Sequence, residues 1–480
     1  MKKKITLSIM SACCFSVLGI HAQGMAIDFS QYEGTQIYNS DFEDWSGKEY
    51  PNAPVGWHSF ETVGGNPLFV PFAKSKLHTS KNTTNLHDGT TGKSCLKLVP
   101  RDLSLALANG TITTGRMNAG AGVATDSKNH AWMDISNTES ADGHPYYALL
   151  NERPTALSVW VKFTQGTPQA EHPYATVSAA ITNGKRYQEP TANNDSSVVI
   201  GYAQNKQIST NGGQWQHLYV PFRYNSKNFN KTDEPKAIMV TFSTNAEPGQ
   251  GSAGDVLLID DLEFVYMQTV TIPESGVATL TNVAMKNHKV VIPEGITAYT
   301  LEANAQGDLM VKDTYQAGQV LPYHAAVLLK GAPGSYDFLT TLYGKEETIK
   351  AEGDYCMVPA SELNTPTTQY KYYRLGTSNG VPCFQAASYG LKVQEKEALL
   401  RVKSEKAAEN YPYVYVKPQV KGDLNDDGRV NITDATLVVT KLLGNNPTGK
   451  FFLNDSDVNE DRAINISDVV ELVNIILHSH

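Results

Sequence analysis

Cysteine is scarce in this chain, with five in 480 residues. Cys13 and Cys14 fall in the first 22 residues, which leaves Cys95, Cys356 and Cys383 beyond them. An odd, sparse set does not make a disulfide framework. Stability therefore has to come from hydrophobic cores and bound metal, with Cys356 and Cys383 either paired within one domain or buried as free thiols. Tryptophan is absent after Trp215, so the five of them (Trp45, Trp57, Trp132, Trp160, Trp215) mark off one domain from the rest. A basic surplus is also missing: 40 Lys and Arg face 49 Asp and Glu, a formal net charge of −9. With no basic patch, nucleic acid is excluded as the expected partner. Beyond the N-terminus no run reaches the ~18 apolar residues of a transmembrane helix. A nucleophile elbow, an HExxH helix and a phosphate loop are all lacking, and no catalytic residue is assigned.

The N-terminus has its own texture. "MKKK" is followed by the apolar stretch "ITLSIMSACCFSVLGI" and then "HA" before Gln23. That order predicts a secretory signal peptide over 1–22, cut near Ala22, and hence a secreted or cell-surface protein. A lipoprotein cut at Cys13 is the alternative. Only about six apolar residues would precede it, short of the usual ~7–15.

Acid gathers at the other end. Residues 422–480 hold ten Asp or Glu against four Lys or Arg. "GDLNDDGRVNITD" (422–434) and "SDVNEDRAINISD" (456–468) repeat one pattern 34 residues apart. Asp423, Asn425, Asp427, Asn431 and Asp434 stand at positions 1, 3, 5, 9 and 12 of a twelve-residue loop. Asp457, Asn459, Asp461, Asn465 and Asp468 stand at the same places. Alternate side chains of such a loop converge on one hard cation, and the position-7 carbonyls of Arg429 and Ala463 add a ligand each. Gly428 suits the sharp bend at position 6, and Arg462 at the same place predicts a weaker second loop.

Each loop runs into a helix. Ala435, Val438, Val439 and Leu442 form one apolar stripe, and Val469, Leu472, Val473 and Ile476 form the other. Gly444 suits the end of the first helix. No entering helix precedes Asp423, because "YPYVYVKPQVKG" is strand-like and contains Pro418. Half of an EF-hand is thus used twice. The arrangement closely resembles a type I dockerin. That resemblance implies two Ca²⁺ ions and a cohesin-like partner. It further implies docking through loop positions 10 and 11, here Ile432 and Thr433, then Ile466 and Ser467.

The tryptophan-bearing region shows period-two strands. "ALSVWVKF" (156–163), "QHLYVPF" (216–222), "KAIMVTF" (236–242) and "DVLLIDDLEFVY" (255–266) alternate apolar and polar residues between Gly, Asn and Pro turns. These predict an antiparallel β-sandwich or jelly roll. Trp160 is out of phase with Leu157, Val159, Val161 and Phe163, so it points away from the core as a glycan-stacking platform would. Trp132 in "HAWMD" is a second candidate platform, and Trp215 reads as structural.

The stretches "NSDFEDW" (39–45), "PVGW" (54–57), "TITTGRM" (111–117), "ALSVWVKF" and "LIDDLEFVY" resemble the carbohydrate metabolism domain of secreted Bacteroidetes proteins. The likeness implies a jelly roll similar to carbohydrate-binding modules over 36–267. It also implies a structural calcium site built from Asp41, Glu43 and Asp261. Residues 268–418 are strands broken by Gly and Pro, with His288 and His324 isolated, and read as a β spacer or adhesion module.

The expected fold is therefore mainly β. A jelly-roll β-sandwich and a small β domain precede an α-helical dockerin (420–480) with two F-hand calcium loops. The expected function is glycan binding by the jelly roll and calcium-dependent docking by the dockerin, in polysaccharide utilisation. The alternative is an O-glycosyl hydrolase or other carbohydrate-active enzyme carried by the dockerin. A core of two short helices is marginal without metal. Circular dichroism of residues 420–480 is therefore expected to gain helix when Ca²⁺ replaces EDTA; helix content unchanged by that exchange would refute the calcium loops.

Overall fold

The structure is a computed structural model that describes residues 27–478 except 49, 104–105, 139–142, 191–195, 283–286, 304–308, 344–354, 361–362, 364–367, 379–380, 388–395, 405–420, 426–428, 446, 448–450, 452–455 and 462. The expected signal peptide (1–22), with Cys13, lies outside the described residues, as do Asp427, Gly428, Arg462 and the side chain of Cys356.

Ten strands build the N-terminal sandwich. They are β1 (Thr79–Asn82), β2 (Cys95–Leu98), β3 (Thr111–Thr113), β4 (Ala148–Leu149), β5 (Ala156–Thr164), β6 (Ala175–Thr182), β7 (Val199–Ile208), β8 (Gln216–Pro221), β9 (Ala237–Ser243) and β10 (Val256–Val265). One sheet has the order β8-β5-β10-β2-β1. The other has the order β4-β9-β6-β7, with β3 also on β9. From β5 to β10 the chain crosses between sheets four times, as a jelly roll does.

The alternation read from sequence decides which face is inward. Leu157, Val159, Val161 and Phe163 are fully buried against Val177, Ile181, Val240 and Phe242 of the facing sheet. Burial of each large side chain contributes roughly 1.5–3 kcal/mol. Trp57 closes one end of this core, packed on Phe42 and Phe242 at 5.1 and 6.5 Å. Its indole N–H donates to the Asn39 carbonyl at 3.2 Å.

Twelve further strands follow in three four-stranded sheets. The first two sheets share a core of Leu280, Val290, Leu321, Val327 and Phe338. Buried residues of the third, Tyr373, Phe384 and Leu400, pack on Leu301 and Leu328 of the second. Among the described residues, no sheet contains strands from both sides of Tyr266. Cys356 and Cys383 sit on the two outer strands of the third sheet, three strand spacings apart. That is about 14 Å, beyond disulfide reach, and Cys383 is a buried free thiol.

The seam between sandwich and middle module is specific. Gln36 donates to the Phe264 carbonyl at 2.7 Å and accepts from its N–H at 2.6 Å. The same amide lies 2.9 Å from His288 Nε2. His288 is fully buried between Tyr32 and Tyr266, a packing residue rather than a surface one. Glu263 accepts from the Leu342 N–H at 2.7 Å and from the Thr341 hydroxyl.

Two helices end the chain, α1 (Ile432–Leu442) and α2 (Ile466–His478). They bury Ala435, Leu437, Val438 and Leu472 around Leu424 and Val458. Val439, Leu442 and Val473, expected on the inner stripe, are exposed instead. Leu437 is buried and Ile475 half-buried in their place, so the packed face of each helix is turned from the one expected. Gly444 ends α1 at φ 81°, with Gly444 N–H on the Lys441 carbonyl and Asn445 N–H on that of Thr440, a Schellman motif. Among the described residues, no helix is long and apolar enough to cross a membrane.

Candidate functional site

The two C-terminal loops close in matching ways. Asp434 Oδ2 accepts from Asn431 N–H at 2.9 Å and Asp468 Oδ2 from Asn465 N–H at 2.8 Å. Asp434 Oδ1 accepts from Asn425 N–H and Asp468 Oδ1 from Asn459 N–H, both at 3.2 Å. Each position-12 carboxylate thus caps its own helix and ties it back to position 3 of its loop. Asn431 and Asn465 complete the cap by accepting from Thr433 and Ser467 N–H at 2.7 and 2.8 Å. Asp423, Asp434, Asp457 and Asp468 are all buried, although carboxylates rarely are without a partner charge. Oxygen donors alone, at calcium-loop spacing, suit a hard cation. Among the described residues of the second loop, Glu460 has a left-handed backbone, at φ 65°.

Ile432 and Ile466 are each 66% exposed, one beside each loop. Val470, Val473 and Leu477 extend this apolar surface along α2, and Val439, Leu442 and Leu443 along α1.

A second acidic site lies on the outer face of the β5/β10 sheet. At Asp260–Asp261 the pairing of β10 with β5 slips, and Asp261 takes φ 44°. Side chains normally alternate along a strand, but this bulge turns two consecutive carboxylates to one side. Leu262 N–H donates to the Ser40 carbonyl, which brings the entering segment with Asp41 and Glu43 alongside. The loop after β1 lies over them. His87 Nδ1 is 2.9 Å from the Asp88 carbonyl, a contact only an N–H satisfies. His87 Nε2 then faces Asp261 Oδ2 at 2.8 Å and Asp260 Oδ2 at 3.9 Å. With the proton on Nδ1, lone pair meets lone pair unless a proton or a cation lies between.

Electrostatics shows the excess charge. Burial, then Asp261, raise Asp260 to about 10. Burial, then Asp261 and Glu43, raise Asp41 to about 7. Asp260 Oδ2 is buried with no hydrogen-bond partner. So is the hydroxyl of Tyr343, which the middle module contributes beside Asp41, Asp260, Asp261 and Glu263. Glu43 Oε1 is taken by Lys93 and Ser94 N–H, at 2.6 and 2.7 Å. The ligand atoms of His87, Asp260 and Asp261 all lie within 4.8 Å of one another, close enough to share one metal ion, while Asp41 and Glu43, expected as ligands, stand near enough to add their charge. Sequence reasoning passed over His87, which no spacing marks. The Asp-Asp doublet inside a strand was the available sign of the bulge.

Trp160 is placed on this outer face, as its phase predicts, but neither face of its ring is free. His87 stacks on one at 4.4 Å and His217 on the other at 4.8 Å, nearly parallel. Trp215 donates to Asn85 Oδ1 in the same loop at 3.2 Å. Trp132 carries the Arg186 guanidinium over its ring at 4.3 Å. The platform reading therefore does not fit Trp160 and is half blocked at Trp132.

An open cleft lies instead on the outer face of the opposite sheet, with a volume of about 1030 Å³. Thr176, Ser178, Gln204 and Thr241 pave its floor, and Phe69, Phe72 and Phe229 stand in its walls. Flat apolar walls over a hydroxyl and amide floor match the two surfaces of a sugar ring. Its one carboxylate among the described lining residues is Glu189, which accepts from Ser178 and Tyr187 hydroxyls at 2.5 and 2.9 Å.

Compared with known protein families, residues 421–477 match the Dockerin type I domain. Dockerins bind Ca²⁺ and dock to cohesins, so the match supports calcium-dependent docking by this segment. No curated protein matches the chain. Among solved structures it is similar to a Bacteroides thetaiotaomicron protein described, provisionally, as a glycoside hydrolase. The identity is 18%, over 49% of this chain and 72% of that one, with a TM-score of 0.34. Two variants of Bacillus subtilis oxalate decarboxylase are 10% identical over 55% of this chain and 76% of theirs, with a TM-score of 0.13. Likeness at these scores carries no argument about function.

Two outcomes are expected. Because the tryptophans all lie in the sandwich, their fluorescence reports its unfolding alone. Calcium at a hundred times its Kd should raise that domain's stability by ~2.7 kcal/mol. Asp260→Asn should lessen the gain while raising stability in EDTA, where the fold must otherwise hold this buried carboxyl protonated at neutral pH. A calcium-independent melt would remove the sandwich site. In the second C-terminal loop, Glu460→Gly relieves a left-handed residue worth ~1 kcal/mol. Calorimetry should show calcium bound there about fivefold more tightly, and an unchanged affinity would show that this turn does not limit binding.

Proposed function

We propose that this chain is a secreted, modular, non-catalytic protein that binds glycan and delivers itself to a cohesin-like partner. Its dockerin takes two Ca²⁺ ions, one per loop. The matched hydrogen bonds of Asp434 and Asp468, which tie each helix to position 3 of its own loop, support this most directly. The sandwich holds a further Ca²⁺ in its buried acid cluster and takes polysaccharide in the cleft over Ser178 and Gln204. The middle β module serves as the spacer.

Binding is favoured over hydrolysis by the carboxylate count. Glycosidases set two carboxyl groups about 5–10 Å apart across one bond. The described lining of the cleft offers Glu189 alone, and both its oxygens already accept hydrogen bonds. The acid cluster has carboxylates in number, but Asp41, Asp260 and Asp261 are buried beside the loop that carries His87.

Docking runs through Ile432 with Thr433 and Ile466 with Ser467. The equivalence of the loops relates the two pairs, so a cohesin surface meets similar chemistry in two orientations. The test is surface plasmon resonance of the full chain against a panel of type I cohesin domains in calcium. Replacing Ile432 and Thr433 by Glu should leave binding largely intact, and so should replacing Ile466 and Ser467. Replacing both pairs should abolish it, because unpaired charge in an interface is costly. Loss of all binding from one pair alone would show one-sided docking. No binding to any cohesin, with calcium still bound, would overturn the partner.

A further inference from the structure

The cleft has an electrostatic character opposite to that of the chain. The protein is acidic overall, with a formal net charge of −9. Yet the permanently charged side chains among the described lining residues are Lys206 and Arg223 against Glu189 alone. Glu189 is committed inward: its two oxygens accept from Ser178 and Tyr187 hydroxyls. Lys206 and Arg223 are exposed, and neither side chain is engaged in an ion pair with the cleft's one carboxylate.

Their positions follow from the fold. Lys206 stands on β7, four residues beyond Tyr202. Arg223 follows β8 and is bridged to Tyr202 through its backbone, with N–H and C=O bonds of 2.9 and 3.0 Å. Four strand residues span roughly 13 Å. Two cations therefore stand along one edge of a polar floor, too far apart for a single sugar to bridge and suited to successive units of a chain.

From this placement we infer that the cleft selects an anionic glycan, a polymer bearing carboxylate or sulfate groups, with Lys206 and Arg223 reading two of its charges. The inference rests on the glycan reading of the cleft. Arg223 offers a planar fork that matches a carboxylate or sulfate in two hydrogen bonds, and Lys206 a mobile point charge. The phenylalanine walls take the apolar ring faces.

The experiment measures binding of the full chain, in calcium, to polygalacturonate, chondroitin sulfate and neutral galactan. Isothermal calorimetry is run at several salt concentrations, with duplex DNA as a second polyanion. Binding of polygalacturonate or chondroitin sulfate well above galactan, weakening as salt rises, is the expected result, and the stronger of the two tells carboxylate from sulfate. The double variant Lys206→Gln, Arg223→Gln should bind that polymer about tenfold or more weakly, with a flatter salt dependence and an unchanged melt. Galactan bound as tightly as the acidic polymers, or a double variant that binds like the parent, would overturn the anionic inference and leave the cleft as a neutral-glycan site. Equal binding of DNA would overturn it as unselective charge attraction. If no glycan binds, or if Ser178→Trp in the floor leaves binding unchanged, the cleft reading itself falls.

Discussion

Uncompensated negative charge at the Asp260–Asp261 bulge is the constraint around which the sandwich is organised. A carboxylate seldom survives burial without a partner, and here two consecutive ones face Asp41 and Glu43 under a closed loop. The geometry that causes the problem also holds the fold together. The slip in β10 lets Leu262 bond to the Ser40 carbonyl, and Gln36 clamps Phe264 two residues further on. The entering segment, the last strand of the sandwich and, through His288 on the Gln36 amide, the middle module are thereby locked at one place. Glu263 completes that lock by receiving Leu342 and Thr341 from the other side. Burial raises Glu263 to about 7, and the donated hydrogen bonds hold it below what burial alone would give.

The C-terminal domain solves a similar problem differently. Its position-12 aspartates each spend both oxygens on backbone N–H groups of their own unit, so that loop and helix form one piece before any partner arrives. What remains to be neutralised is the cluster of loop oxygens, which a hard cation serves. The side chains left outward are apolar, as in Ile432 and Ile466, and these cost free energy in water until covered.

The parts legible in the sequence were those with a period. The loop ligands repeat at fixed spacing, and Leu157, Val159, Val161 and Phe163 alternate, so the helical unit and the sandwich strands could be read directly. Phase also placed Trp160 correctly on the outer face. It could not show that His87 and His217 would cover that face, because both approach from segments distant in sequence. The helical stripes were misjudged at Val439 and Val473 for a related reason: the packing of the two helices on each other, not the period of either, selects the buried edge. The cleft left no local trace, since its floor is Thr, Ser and Gln on strands that read as ordinary alternation.

The two faces of the sandwich are given to different tasks. The sheet that carries Trp160 and Glu263 turns its outer face to the covering loop and the middle module. The cleft opens on the other sheet, away from that seam. If the cleft takes polymer as proposed, that polymer lies on the face away from the middle module. Whatever sits on the dockerin is then tethered to a polymer already in hand. Its encounters with that polymer become intramolecular, governed by the reach of the chain rather than by bulk concentration.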